Sequence, residues 1–527
     1  MPLAVCVKKH KANNIKTSGK SGKKVKVRSF TPISDALLDT NTFADTELAD
    51  GIKRHSMVNL FLKCFGKDRR TDATPISAIL CALLCWPFLK NSIHCFCAEL
   101  CQFIAGGKDH GKHSNRPEDV LYGILGREDI NWRKQSMGTS QSFLRQNDLG
   151  PESERAFVVD DSIKRRRGKK VEGASKHWDH TEQRTVFGHQ VVEFGMAGEK
   201  GFLPLDRQIY MSSEGAVEKP EDKGFRDKRS AAARDMARAR GEDKQSMFRR
   251  MLKSVLRAGF KAKYAIADAW FGCKENIEAA IEAGVEAVFQ MKRGKLKYWV
   301  EEQGGGQSYN AKQLYEKHKR KLKKASKGAR YKTYRLEAWI NLERNPNKPE
   351  RWQKVHLVFS SPADSSGENW VIFLTTDLES TAEKILEIYA LRWSIEVYFK
   401  EVKQNFGFLA EQSSRYQFSY ASIHLAAMRY ILIFETMLRS GGLSYGEVRD
   451  KQSGRLTILS YAGLMWQLFR GLIEGALDQL TGLLGDDVIA KVSDAIDEAV
   501  DSFLNQALQI DPAQIDGQLY AESIGEL

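Results

Sequence analysis

The sequence predicts an α/β fold whose central sheet is interrupted by a β-rich insertion and flanked by helical segments at both ends. Three observations support this prediction. Strand and helix patterns alternate from Tyr264 to Met291, as they do around a mainly parallel sheet. Three strand-like runs occur within residues 295–378, and long apolar helical patterns follow at Tyr420–Leu438 and Ile458–Leu472. At 527 residues the chain can bury a large core and form several domains.

Positive charge dominates all but the end of the chain. The net charge is +14, but the segment from Glu474 onwards carries −11, which leaves +25 on residues 1–473. Residues 1–30 contain nine Lys or Arg and no acid, so residues 1–40 are expected to form a disordered basic arm. A surface this basic favours a nucleic-acid backbone as the partner. The acidic end could mask this surface, hold a partner protein or form a solvated helical face.

The sequence offers no support for a membrane or secreted setting. No apolar run follows the basic N-terminus, and no stretch approaches the ~20 apolar residues that a membrane span needs. The eight cysteines are unevenly spaced, which is not typical of a disulfide framework. We therefore expect a cytoplasmic protein without a membrane partner.

Residues 41–150 have a helical pattern. Apolar periodicity marks Ser56–Phe65 and Pro75–Leu89, and Pro117 stands at a helix start. A small helical domain with many basic residues could place a helix in a DNA groove. We predict a helical DNA-binding domain over this range.

The α/β core is expected to begin within residues 151–294. Ala156–Val159 is a predicted buried strand that ends at Asp160 and Asp161, and a basic loop containing Arg165 and Arg166 follows it. Carboxylates at a strand end beside cations suit a metal site that faces phosphates. An Asx turn would use the same residues and is the structural alternative.

Further along, a second strand pair is expected at 184–187 and 190–194, and a loop or exposed helix at 214–245. The pattern of Gln245–Ala258 predicts an amphipathic helix that ends at Gly259. A short buried strand, Tyr264–Ala267, then ends at Asp268. A helix at Lys274–Ala283 and a strand at Ala287–Met291 complete the alternation, which places Asp268 at the carboxyl end of a strand, where open sheets carry their sites.

The β-rich insertion is predicted over 295–378, with strands at Tyr331–Asn341, Val355–Ser360 and Trp370–Thr375. Its first half contains the basic run Lys317–Lys332. Residues 411–527 are predicted to form a helical C-terminal region with an acidic end, which includes a helix at Val488–Leu508.

Between the insertion and the C-terminal region lies the most informative stretch, from Tyr389 to Lys403. At about 100° per residue its five ionisable side chains share an arc of roughly 80°, beside an apolar arc. These residues are Tyr389, Arg392, Glu396, Lys400 and Lys403. Three cations around one acid favour an anionic polymer beside a metal-binding carboxylate, although a surface helix with i,i+4 pairs would have the same composition.

Three carboxylates therefore stand out: Asp160 or Asp161, Asp268, and Glu396. Hard oxygen ligands of this kind bind Mg²⁺, which is commonly shared with substrate phosphates. Two such ions about 4 Å apart can activate an attacking oxygen and stabilise a leaving one.

The spacing Tyr389-x2-Arg392-x3-Glu396-x6-Lys403 resembles the Y-R-E-K signature of the insertion-sequence-4 family of DDE transposases. Trp393 and Lys400 also match residues common in that family. The Asp160-Asp161-Ser162 strand end resembles its first aspartate motif, and Asp268 followed by Ala269-Trp270-Phe271 resembles its second. Asp160 is preferred because D-x-[S/T] is the form of that first strand, and Asp161, on the other face, is the alternative.

The resemblance implies an RNase H-like core formed by residues 151–294 and a catalytic helix at 379–410, with the insertion between them. It implies a transposase that binds the ends of an insertion element and catalyses Mg²⁺-dependent strand cleavage and strand transfer on double-stranded DNA. Asp160, Asp268 and Glu396 would be the catalytic residues and would hold two Mg²⁺ ions, for which Mn²⁺ can substitute. The enzyme is expected to act as a homodimer on DNA, at the bacterial nucleoid.

The same resemblance implies DNA contacts. Water would first be activated to nick the element's end, and the new 3′-hydroxyl would attack the opposite strand or target DNA. Trp370 is the candidate for stacking an unpaired base, with a buried sheet residue as the alternative. The predicted DNA-binding residues are Tyr389, Arg392, Lys400, Lys403, Trp370, Arg165 and Arg166. Two other functions are compatible with the sequence: a non-catalytic DNA-binding protein derived from a transposase, and an RNase H-like nuclease without joining activity.

Overall fold

A mixed sheet of twelve strands organises the described part of the chain. The computed structural model describes residues 47–65, 76–90, 92–99, 117–180, 182–217, 224–301, 305–326, 328–364, 369–441 and 444–453, with positions 488, 491–492 and 495. Several predicted segments lie outside the described residues: the basic arm at 1–40, the helix Ile458–Leu472 and the acidic end apart from a few positions. Of the predicted helix Val488–Leu508, the structure describes positions 488, 491–492 and 495.

The strands follow one another as β1 (Ala156–Arg165), β2 (Ser175–Asp179), β3 (Arg184–Gly198), β4 (Gly201–Tyr210), β5 (Tyr264–Ala267), β6 (Glu286–Met291), β7 (Lys297–Val300), β8 (Gln307–Asn310), β9 (Lys323–Lys324), β10 (Tyr331–Asn341), β11 (Trp352–Pro362) and β12 (Val371–Thr375). The helices are α1 (Glu47–Arg54), α2 (Met57–Leu62), α3 (Ile76–Leu89), α4 (Ile93–Glu99), α5 (Pro117–Leu125), α6 (Trp132–Gln146), α7 (Ala231–Gly241), α8 (Lys244–Arg257), α9 (Lys274–Glu282), α10 (Ala311–His318), α11 (Ala382–Ala390), α12 (Trp393–Gln404) and α13 (Tyr416–Ser440).

The strand order explains how distant segments meet. β4, β3 and β1 are antiparallel neighbours, whereas β1, β5 and β6 run parallel. β12 then pairs antiparallel with β6, and β11, β10, β7 and β8 extend the sheet from it. The β-rich segment is thus continuous with the central sheet. Because β1 and β5 are parallel neighbours and β5 ends at Ala267, the carboxyl end of β5 lies beside the middle of β1. The carboxyl end of a parallel strand is the usual place for a site.

The register of β1 and β5 makes this proximity specific. Ala156 pairs with Tyr264, and Val158 pairs with Ile266. Continuing the same register by two residues brings Asp160 level with Asp268, with both side chains on the face shared by Val158 and Ile266, because side chains alternate along a strand.

Helix α8 shows why local sequence predicted part of the fold well. It ends at Arg257, and Gly259 follows with φ of 86°, a conformation that glycine adopts at little cost. The amide of Phe260 donates to the carbonyl of Val255 at 3.2 Å, as in a glycine-terminated helix, and Phe260 is buried. The predicted glycine cap is confirmed.

Several sequence-based boundaries were wrong. β1 does not end at Val159 but continues to Arg165, because β3 pairs with its whole length. β3 is one strand of fifteen residues rather than two short ones, and β2 and β4 were not predicted. Helix α7 lies within 214–245, where a loop or exposed helix was predicted, but it buries an alanine-rich face.

The predicted single helix from Tyr389 to Lys403 is also broken. Helix α11 ends at Ala390 and α12 begins at Trp393. Between them the amides of Leu391 and Arg392 donate three residues back, to the carbonyls of Ile388 and Tyr389. This tight turn redirects the chain, so Tyr389 does not share one continuous helix face with Arg392 and Glu396.

The described part of residues 41–150 is helical, as predicted, and its helices pack directly on this core. Arg133 on α6 donates to Asp206 on β4 at 2.6 Å, and α13 lies against α6. Helix α13 is long and apolar enough to cross a membrane by length and composition alone, but 89% of its apolar window is buried inside the protein. That degree of burial is typical of a core helix. Whether the N-terminal helices bind DNA stays a prediction.

Candidate active site

Arg392 joins two of the three predicted acids. Its Nη1 donates to Asp160 Oδ2 at 2.7 Å, and its Nη2 donates to a carboxylate oxygen of Glu396. The Asp160 side chain is only 19% exposed, and that of Arg392 20%. Arg392 is therefore the counter-ion through which β1 and the first turn of α12 are connected.

Asp268 completes the group from the end of β5. Its Oδ1 accepts hydrogen bonds from the amides of Trp270 at 3.0 Å and Phe271 at 3.3 Å, which fix the carboxylate at the start of the following turn. The charge of Asp268 acts on both Asp160 and Arg392, raising the pKa of each. The structure thus brings together all three of the acids that the sequence singled out.

The positive charge near Asp160 is too small to keep its buried carboxyl group ionised at its ordinary pKa. Burial raises its pKa to about 7, and the neighbouring charges of Asp161 and Asp268 add to this, while Arg392 acts in the opposite direction. One guanidinium therefore does not offset desolvation together with two nearby acids. A second cation in the same place would favour the ionised form.

A buried network holds α12 against this edge of the sheet. Glu193 lies directly opposite Asp160 in the β1–β3 pair and so shares its face. Tyr398 on α12 donates to Glu193 at 3.0 Å, and Arg207 on β4 donates to both carboxylate oxygens of Glu193 at 3.1–3.2 Å. These side chains are fully buried. Glu396 lies two residues earlier on α12, so this anchor also fixes the height of Glu396 along the sheet edge.

Tyr389 and Lys403 flank the acids on either side. The Tyr389 hydroxyl donates to Gln290 on β6 at 2.9 Å, and burial raises the pKa of this phenol to about 12. Lys403 Nζ donates to Ser162 Oγ at 2.6 Å and to the carbonyl of Ile163 at 2.9 Å. Lys400 is exposed on α12. Tyr389 and Lys403 are thereby tied to strands, whereas Lys400 faces outwards.

Asp161 belongs to the same cleft but has different partners. Its carboxylate accepts hydrogen bonds from Lys244 at 2.9 Å and from Gln190. The cleft has a volume of about 660 Å³, and we call it the acid cleft. Its lining includes Asp160, Asp161, Asp268, Lys244 and Lys403. Only Asp160, of the two adjacent acids, contacts Arg392.

Two residues that line the acid cleft, Lys244 and Trp270, were not among the predicted site residues. Lys244 lies over the ring of Trp270 at 4.6 Å, and Lys292 lies over the same ring at 4.8 Å. The Trp270 side chain is 47% exposed. Its place two residues after Asp268 was the available signal, whereas nothing local distinguished Lys244 from the chain's other lysines.

Three predicted DNA-binding residues have other roles in this structure. Trp370 is 7% exposed and stacks on Tyr315 at 4.2 Å between ring centroids, so the alternative of a buried sheet residue is the correct one. Arg165 is paired with Asp179 at 3.7 Å and with Glu182. Arg166 donates to His189 at 3.1 Å, and burial lowers the pKa of its guanidinium. The charge of Arg165 is largely satisfied within the protein.

The three acids have the right oxygen donors for a divalent cation, but in this structure they are not spaced to bind one. Three carboxylates supply the hard oxygen donors that Mg²⁺ prefers, and the raised pKa of Asp160 shows that further positive charge would be favourable. In the part of the chain that the structure describes, no three acidic, histidine or cysteine side chains surround a common point closely enough to hold an ion. Arg392 lies between Asp160 and Glu396 and donates to both.

The middle of the chain is similar to a known protein family. Residues 237–432 match the family model of the transposase DDE domain. This range contains Asp268 and the whole stretch from Tyr389 to Lys403, and it begins after Asp160. No curated protein matches the chain. The match supports a transposase-type function, which is phosphoryl transfer on nucleic acid, and DDE transposases in general bind DNA and use divalent metal ions.

Proposed function

We propose that the protein is a transposase of the insertion-sequence-4 type with an RNase H-like core. It would bind the ends of an insertion element and catalyse Mg²⁺-dependent strand cleavage and strand transfer. The observation that carries this proposal is that Asp160, Asp268 and Glu396 surround Arg392 where the carboxyl end of β5 lies beside the middle of β1: Arg392 contacts Asp160 and Glu396, and the charge of Asp268 acts on it. These acids lie more than a hundred residues apart in sequence, so the fold, and not local spacing along the chain, brings them close together.

Asp160, Asp268 and Glu396 are the residues that would hold the metal ions. A divalent cation there supplies an activated attacking oxygen and stabilises the leaving oxygen. The protein's own contribution is positioning and charge, which dominate phosphoryl transfer. In cleavage, water adds to phosphorus and the 3′-oxygen leaves. In transfer, the freed 3′-hydroxyl attacks a second phosphorus and displaces another 3′-oxygen.

The cations of the acid cleft would bind the phosphates next to the cleaved bond. Lys403 is held by a hydrogen bond to Ser162 in β1, and Lys244 is held by an ion pair with Asp161. Arg392 would exchange its contacts with Asp160 and Glu396 for a phosphate when metal ions enter. Exposed Lys400 would assist, and Tyr389 would contact a flanking phosphate. Trp270 replaces Trp370 as the aromatic side chain available to a splayed base.

The test uses linear DNA that carries the element's ends, incubated with Mg²⁺. Wild-type protein is expected to release the element, and Glu396→Gln and Asp268→Asn are expected to bind the same DNA without cutting it. Glu387→Gln on α11 is the matched control, because it makes the same carboxylate-to-amide change at an exposed position outside the acid cleft. If Glu396→Gln cuts at the wild-type rate, the assignment of the site fails.

A second assay separates the proposed transposase from the two alternatives. Pre-cut ends with a free 3′-hydroxyl are mixed with a supercoiled target, and joined products are counted. A nuclease would cut the linear substrate but leave the target unjoined. A non-catalytic DNA-binding protein would form neither product while binding both substrates in a salt-sensitive manner. Two ends must be processed together, so we also propose a homodimer on DNA.

A further inference from the structure

A second cleft of about 660 Å³ lies between α7, α8 and the start of α6. We call it the arginine cleft. Its lining is cationic: besides Arg133 on α6, it includes Arg234, Arg238, Arg249, Arg250, Lys253 and Arg257. One acid, Asp235, lines it with them, and that carboxylate is buried and accepts the hydroxyl of Tyr416 at 2.7 Å.

The nearby acids do not neutralise this charge. Arg133 pairs with Asp206 at 2.6 Å, and Arg250 pairs with Glu242 at 2.8 Å. For Arg234, Lys253 and Arg257, which are exposed, no described carboxylate lies within ion-pair distance of the charged group. Several positive charges thus face one volume without ion-pair partners among the described residues, which creates a positive potential that attracts anions.

The cations are also crowded. Burial lowers the pKa of Arg238, and the charges of Arg133 and Arg250 lower it further. Guanidinium groups held this close bind the oxygens of a phosphate with short, often bidentate hydrogen bonds. The cleft offers no stacking surface, because the aromatic residue in its lining, Tyr420, is buried. Its chemistry therefore suits a phosphate backbone better than a nucleotide base.

Helix α8 connects the arginine cleft to the acid cleft. The first residue of this helix, Lys244, contacts Asp161 in the acid cleft. Arg249, Arg250, Lys253 and Arg257 occupy an arc of about 100° on the side opposite the buried residues of α8. At about 1.5 Å per residue they lie ~8 to ~20 Å along the helix axis from Lys244. Lys244 itself lies about 170° around the helix from the middle of this arc. The arginine cleft therefore lies on the other side of α8 from the acid cleft and extends away from it along the helix.

We propose that the arginine cleft binds the backbone phosphates of the double-stranded DNA that leads away from the acid cleft. This inference rests on the proposed function, because it takes DNA as the anion. A duplex carries one charge per about 1.7 Å of its axis, so a row of cations of this length meets several phosphates. The contact is independent of base sequence and would hold the duplex in register on either side of the cut.

The test is the salt dependence of DNA binding by a triple variant, Arg234→Gln with Lys253→Gln and Arg257→Gln. All three side chains are exposed, and none makes a described hydrogen bond or ion pair. The control removes the same charge outside both clefts: Lys261→Gln with Lys312→Gln and Lys348→Gln. Binding of a labelled duplex is measured by fluorescence anisotropy without divalent cations, so no cutting is involved, and melting curves verify the fold.

Each phosphate contact contributes about 0.9 to the slope of log affinity against log salt, so the triple variant is expected to lower the slope by about 2.7. Between 50 and 200 mM salt, wild type should then lose about 40-fold more affinity than the triple variant. The control triple should keep the wild-type slope. A duplex shortened by about 6 base pairs, ~20 Å, should remove the difference between wild type and the triple variant.

Two results would overturn the inference. One is a wild-type slope in the triple variant. The other is saturable binding of inorganic triphosphate that the triple variant loses while its DNA slope is unchanged, which would indicate a small-anion site. Failure of the proposed function looks different: wild-type protein that binds DNA with the full slope but never cuts or joins it. That outcome removes the transposase assignment and leaves the arginine cleft as a DNA-binding surface.

Discussion

Replacing Asp160 by asparagine should stabilise the folded protein while removing its activity. The carboxyl of Asp160 has a pKa of about 7 in the folded protein against an ordinary value of 3.8. Burial is the main cause, and the charges of Asp161 and Asp268 add to it. Asparagine has nearly the same shape and never ionises, so it avoids the cost of holding this charge in place.

The magnitude and its sign follow from linkage. Between pH 4 and 7 the folded protein retains a proton on Asp160 that the unfolded chain has lost, so the wild type loses stability as the pH rises through this window. Three units of pKa correspond to about 4 kcal/mol, which is the full effect at pH 8. At pH 5 about 2 kcal/mol remains, and below pH 4 the difference vanishes. The side chain keeps 19% exposure, so water reduces the penalty and about 4 kcal/mol is the upper end.

Urea unfolding followed by circular dichroism at pH 5 and pH 8, without divalent cations, measures this difference. Asp161→Asn is the matched control, because it removes a charge that is already paired with Lys244 and Gln190. That control should be destabilised by about 1–3 kcal/mol at pH 8. Two outcomes would contradict this reasoning: Asp160→Asn is less stable than wild type at pH 8, or it gains the same stability at both pH values. Either would show that the acid cleft does not disfavour the ionised form of Asp160.

Three further predictions follow from the same contacts. Arg392→Gln should raise the pKa of Asp160 further in the protein without divalent cations, because it removes the cation that lowers this pKa; an unshifted carboxyl titration by nuclear magnetic resonance would contradict this. Arg207→Met should cost about 3–5 kcal/mol in urea unfolding, because it leaves Glu193 buried without its charged partner; a loss below 1 kcal/mol would count against the anchor. Tyr389→Phe should lower stability by only about 0.5–1.5 kcal/mol, since it removes one hydrogen bond to β6, and a larger loss would indicate a packing role.

The parts of the site that could be predicted from sequence lie on elements specified by local pattern. The strand before Asp268 is a short apolar run, and the glycine cap of α8 has a local signature, so both were placed correctly. The spacing of Arg392 and Glu396 was informative for the same reason, because four residues along a chain that turns helically bring the two side chains together.

The remaining parts depend on distant pairing. Asp160-Asp161-Ser162 has the composition of a turn, yet the chain stays extended there because every residue of β1 is paired with a residue of β3. Local propensity for strands is easily overridden by such pairing. Trp370 shows the converse case, because an aromatic residue at a strand start can face a ligand or a core, and only the position of Tyr315 decides which.

The break between α11 and α12 was missed because periodicity measures spacing, not continuity. The apolar residues keep a helical period across Leu391 and Arg392 even though the hydrogen bonds there span three residues. Its consequence is functional: Tyr389 reaches β6, while Arg392 reaches β1. A continuous helix would have directed both side chains to one surface.

The most direct test of the central claim is a count of divalent ions at the three acids. Mn²⁺ is titrated into the protein with pre-cut end DNA, and bound ion is measured by electron paramagnetic resonance. Wild type is expected to bind two ions per acid cleft, and Asp160→Asn, Asp268→Asn and Glu396→Gln should each weaken binding at least tenfold. Wild-type Mn²⁺ binding in any two of these variants would show that the acids do not act as one site.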